Sequence, residues 1–105
     1  MSRSLRDEAA SVAARLRAEM NPSSILLFGS VAYGTETASS DLDICLLFEV
    51  LPDRKIDVMR KARRICLPVY RGAMDIIAYS REEWDAYIAA GSCFESKLQK
   101  EGIAL

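Results

Sequence analysis

Apolar residues in the first part of the chain recur at helical spacing. Leu5, Ala9, Val12, Ala13, Leu16 and Met20 fall on one helix face. Ser4, with an acid at Asp7, marks the start of this helix, and Asn21-Pro22 marks its stop. The pattern then changes. Ile25-Leu26-Leu27-Phe28 is a short continuous apolar run that reads as a buried strand, closed by Gly29-Ser30. Residues 31–40 carry Gly34, Thr35, Thr37, Ser39 and Ser40 and read as a short helical turn plus a loop.

Leu42 to Glu49 reads as a second strand, and Pro52-Asp53 opens a second long helix. Val58, Met59, Ala62, Ile65, Cys66 and Val69 would form its inner face. Its outer face is basic, with Arg54, Lys55, Arg60, Lys61, Arg63 and Arg64. Gly72 precedes a third strand, Ala73 to Tyr79. Two helices follow, divided by Gly91 and ended by Gly102, with Ser80/Glu83 and Ser92/Glu95 spaced as capping boxes. The order predicts a small α/β (α+β) domain: a mixed sheet of at least three strands covered by helices.

A length of 105 residues is one domain's worth, so residues 1–105 are expected to be a single domain. Fourteen basic and fifteen acidic residues leave a net charge of −1, so direct nucleic-acid binding is not expected. Histidine is absent, which excludes Ser-His-Asp and Cys-His catalysis and His-ligated zinc. Cys45, Cys66 and Cys93 are odd in number and lack CxxC spacing, which reads as buried, reduced thiols in a cytoplasmic protein. No apolar run approaches the roughly 20 residues a membrane span needs.

The candidate chemistry lies in three places. A strand running into Gly29-Ser30 exposes backbone N–H groups, and glycine admits close approach of a phosphate. Asp41 and Asp43 are two apart at a strand entry, so both carboxylates share a face. Like charges so close call for a hard divalent cation, and oxygen ligands favour magnesium, with manganese possible. Asp75 sits in the otherwise apolar Met74–Ala78, where a charge is expensive unless it is paired or binds metal. The plain alternatives are a polar strand entry for the first two and an outward or Arg71-paired residue for the third. Together the three describe a two-metal phosphoryl or nucleotidyl transfer site.

Gly29-Ser30, the ten-residue gap, Asp41-Leu42-Asp43 and the later Asp75 resemble the signature of the DNA polymerase β-like nucleotidyltransferase superfamily. Phe28–Gly34, Ser40–Ile44 and the terminal Glu101-Gly102 are similar to its minimal branch. The resemblance implies that Gly29 and Ser30 bind the triphosphate of ATP or another NTP. It implies that Asp41 and Asp43 ligate Mg2+, usually two ions. Asp75 would be the third catalytic and metal-binding carboxylate and would help deprotonate an acceptor hydroxyl. Many minimal members carry basic residues inside the turn segment, where this chain has Val31 and Tyr33. Phosphate neutralisation must then come from elsewhere, with Arg71 one candidate.

Minimal members resemble antitoxins paired with a HEPN-domain toxin, and the implied reaction is AMP transfer onto a toxin tyrosine. A non-catalytic protein that neutralises its partner by binding alone is the rival reading. Tyr33 reads as an ordinary turn residue. Trp84, Tyr87 and Ile88 read as core or interface, and Lys97, Lys100 and Glu101 as a solvated face.

Overall fold

The computed structural model describes residues 4–34 and 41–105. Helix α1 spans Leu5–Met20. Ser4 Oγ accepts from the Asp7 amide at 3.1 Å, and the Asp7 carboxylate accepts from the Ser4 amide at 3.4 Å, which closes a full capping box. Asn21 ends the helix in the left-handed region, at φ 49°, with its amide donating to the Arg17 carbonyl. Strand β1 is Ser24–Phe28 and runs directly into the one-turn helix α2, Gly29–Tyr33. Then follow β2 (Leu42–Phe48), α3 (Lys55–Cys66), β3 (Met74–Ser80), α4 (Arg81–Ala89), α5 (Cys93–Glu101) and β4 (Ile103–Ala104).

The sheet has the order β3-β2-β1-β4. β1 is antiparallel to both β2 and β4, while β2 and β3 are parallel. A parallel pair needs a long crossover, and α3 supplies it. One sheet face, with Leu27, Ile44, Leu46 and Ile76, packs on the buried sides of α1 and α3. The other, with Cys45, Leu47 and Tyr79, packs on Trp84 of α4 and Leu98 of α5. The expected mixed α/β sheet is present, with one strand more than the minimum.

Three details differ from expectation. α3 begins at Lys55 and ends at Cys66, so Val69 lies beyond it, although it still packs against the core. Ser92 does not cap α5: its hydroxyl donates to the Glu95 carboxylate instead. Glu95 is buried and its other oxygen accepts from the Tyr79 hydroxyl at 2.6 Å, so the carboxylate links the helix start to β3. Cys45 and Cys66 are buried thiols as expected, but Cys93 is exposed because the first turn of α5 faces outward there. Thr35 to Ser40, expected to continue the loop, lie outside the described residues.

Candidate active site

The strand register assembles the site. Phe28 of β1 lies opposite Asp43 of β2, and Asp43 lies beside Asp75 of β3, so one row crosses three strands. Cys45, Leu47, Ile77 and Tyr79 pack toward α4 and α5. Period two along each strand puts Asp43 and Asp75 on that same face. Asp41 precedes β2 by one residue and is half-buried, as is Asp43, while Asp75 is exposed at the edge strand.

The Asp43 and Asp75 carboxyls lie on neighbouring strands in direct register, close enough for each charge to act on the other. Burial pushes the Asp43 carboxyl up to about 6, helped by the negative charges of Asp75 and Asp41. Each of these effects favours the protonated form of Asp43. Among the described residues, no arginine or lysine forms an ion pair with any of the three aspartates. Arg71, the candidate counter-charge, is exposed four residues before Asp75.

Gly29 opens α2 with φ +76°, in the left-handed region that favours glycine. A Cβ at this position would collide with Oδ2 of Asp43. The turn backbone therefore lies directly against the carboxylate row, and only glycine permits that approach. Ser30 follows, half-buried. Val31 and Ala32 turn into the core, and Arg6 of α1 donates to the Ala32 carbonyl at 3.1 Å, which ties α2 to α1.

α5 forms the far wall beside Gly29. Phe94 meets Phe28 edge to face with ring centroids 5.8 Å apart. The Lys97 ammonium lies 5.5 Å from the Tyr33 ring centroid, and the Tyr33 hydroxyl donates to Glu101 at 3.5 Å. Phe28, Gly29, Tyr33, Phe94, Lys97 and Leu98 line a cavity of about 220 Å³. A larger hollow of about 410 Å³ lies between the start of β1 and the end of β2, lined by Met20, Pro22, Phe48 and Val50 among others. It is at the opposite end of those strands from the aspartates.

The basic face of α3 is partly consumed within the fold. Lys55 pairs with Glu83 at 2.6 Å and lies 4.8 Å from the Tyr79 ring centroid. Arg54 pairs with Asp57, and Arg63 donates to the Met74 carbonyl.

Asp41, Asp43 and Asp75 offer oxygen atoms only, the donor chemistry that suits Mg2+. Among the described residues, no three such side chains form a ready-made cage. Magnesium is usually held by one or two carboxylates plus substrate phosphates and water, so a two-carboxylate pair beside a turn fits that mode. Sequence reasoning missed Phe94 and Lys97. They reach the site only through the packing of α5 on β1, and no local spacing signals that contact.

A family model described as Polymerase beta, Nucleotidyltransferase matches residues 11–98. The fold is similar to the crystal structure of a proposed nucleotidyltransferase from Sulfolobus solfataricus, with a TM-score of 0.51 at 20% identity. That match covers 95% of this chain and 74% of the other. No curated protein matches the chain significantly.

Proposed function

Because this chain belongs to the polymerase beta nucleotidyltransferase family, we propose that it moves a nucleoside monophosphate, AMP from ATP, onto a hydroxyl carried by a protein. The supporting observation is the Asp43–Asp75 pair, in register across β2 and β3, with the Gly29 turn pressed against Asp43. Gly29 and Ser30 hold the triphosphate. Asp41 and Asp43 would hold Mg2+, and Asp75 would complete the set of carboxylates. When bound, the metal offsets the triphosphate charge and makes the acceptor hydroxyl more acidic.

Asp75 accepts the proton of the acceptor hydroxyl. That oxygen bonds to the α-phosphorus, the bond from the α-phosphorus to the bridging oxygen breaks, and pyrophosphate leaves. The acceptor is a tyrosine of a HEPN-domain partner, so the protein acts as an antitoxin in the cytoplasm. Among the described residues, no helix is long and apolar enough to cross a membrane.

Incubation with labelled ATP, magnesium and the protein encoded beside this chain tests the reading. Label should appear on the neighbour and disappear in the variant combining Asp41→Asn and Asp43→Asn. Undiminished labelling by that variant overturns the assignment. Stable binding of the neighbour without label transfer favours neutralisation by binding alone.

A further inference from the structure

We propose that Lys97 of α5 is the cation that binds the pyrophosphate end of the nucleotide, in place of a base on the Gly29-Ser30 turn. The inference rests on the nucleotidyl-transfer reading above and extends it to a residue outside the aspartates and the turn.

The row across the sheet has a direction. Asp75 lies at the β3 edge, Asp43 in the middle, and Phe28 with Gly29 at β1. With the acceptor at Asp75 and the α-phosphate at Asp41 and Asp43, the rest of the phosphate chain runs over Gly29 toward α5. The cavity beside Gly29 lies on that line, and Lys97 is in its wall. Its volume of about 220 Å³ is smaller than the roughly 300–1,000 Å³ of a whole-ligand pocket, so it takes only part of a nucleotide.

The turn itself has no cation to offer. Val31 is fully buried in the core and Tyr33 is neutral. Gly29 and Tyr33 are four residues apart and so lie on the same side of α2. The Tyr33 ring carries the Lys97 ammonium toward that side, at 5.5 Å. Lys97 forms no ion pair among the described residues. Phe28, Phe94 and Leu98 give the cavity its apolar walls. Lys97 is a binding residue here, and Tyr33 positions it.

The test is titration calorimetry of the full chain with magnesium and three probes: ATP, inorganic tripolyphosphate and AMP. Lys97→Gln should weaken ATP and tripolyphosphate roughly tenfold, the scale of one hydrogen bond between charged groups. AMP binding should stay within twofold, and Lys97→Arg should restore ATP binding to within about threefold. Tyr33→Leu should weaken ATP binding in the wild type but add little in Lys97→Gln. Lys97 is exposed, so an unchanged circular dichroism spectrum should accompany the loss. Wild-type ATP affinity in Lys97→Gln, with binding lost in Asp43→Asn, overturns the role of Lys97 and leaves the transfer reading standing. Equal weakening of ATP and AMP also overturns it. Failure of the wild type to bind either ATP or tripolyphosphate overturns both readings together.

Discussion

Replacing Asp75 with asparagine removes one of two like charges that the fold holds side by side, and the metal-free protein should become more stable. Asp43 is pushed up to about 6 by burial and by the charges of Asp75 and Asp41. An unfolded aspartate titrates near 3.9, so the shift is about two units and corresponds at face value to about 3 kcal/mol. The pair opens to solvent at the sheet edge, and screening reduces this to about 1 kcal/mol. The sign follows from proton binding. The folded state holds the Asp43 proton more tightly than the unfolded state, so this contribution is fully present below about pH 4. It is lost as pH rises through about 6. Wild type without metal should therefore lose about 1 kcal/mol between pH 4 and pH 7, or roughly 4 °C for a domain of this size. Asp75→Asn should reduce that slope only in part, since burial, the largest cause of the shift, remains, and it should raise the midpoint at pH 7, because an asparagine amide can donate to ionised Asp43. Magnesium-ATP should stabilise wild type by RT ln(1 + [L]/Kd), about 2.7 kcal/mol at a hundredfold excess, and the variant far less. Thermal scans at pH 4 to 8, with and without magnesium-ATP, measure all of these. A lower metal-free midpoint for Asp75→Asn with an intact ligand shift would refute the carboxylate-pair reading.

Gly29→Ala should cost about 2 kcal/mol, because alanine is strained at φ +76° and its Cβ meets the Asp43 carboxylate. Urea titration measures the loss, and a cost below about 0.5 kcal/mol would mean that the turn does not press on Asp43. Of the three thiols, Cys93 alone should react with iodoacetamide in the native protein at pH 8. It is exposed, whereas burial pushes Cys45 up to about 12 and Cys66 to about 11. Mass spectrometry should find one rapid adduct in folded protein and three in denaturant.

The candidate site was legible wherever chemistry depends on short spacing. Period two put Asp41 and Asp43 on one face before any register was known, whereas the cost read into Asp75 from its apolar neighbours is absent, because Asp75 is exposed on the edge strand. That Asp43 lies beside Asp75 was not legible, because the parallel register of β2 and β3 is set by the α3 crossover and by which faces bury Ile44 and Ile76. Glu95 shows the limit of local motifs. Its spacing from Ser92 is that of a capping box, yet Tyr79 from a distant strand draws the carboxylate inward. There, burial pushes the Glu95 carboxyl up, but hydrogen bonds from Ser92 and Tyr79 outweigh it and hold the group below the usual range. β4 was missed because two residues carry no periodicity, and only the pairing of Ile103 and Ala104 with β1 defines it.

The same long-range packing decides what kind of site this is. Three aspartates at one end of a sheet concentrate negative charge, which repels a nucleotide unless cations intervene. Metal can offset that charge at Asp41 and Asp43, but it cannot orient the nucleotide along the row. A fixed cation at the other end can. With α5 packed on β1, Lys97 lies beyond Gly29 and the acidic pair lies at β3, so the row has a positive and a negative end. On the proposed reading a triphosphate lying over the turn would have its tail drawn to α5 and its reacting phosphorus left beside Asp43. Asp75 then faces the open β3 edge, where an acceptor hydroxyl can approach without crossing the phosphate chain. On the proposed reading helix α5 has two consequences: its Leu98 side closes the second core, and its Lys97 side would set which way the nucleotide points.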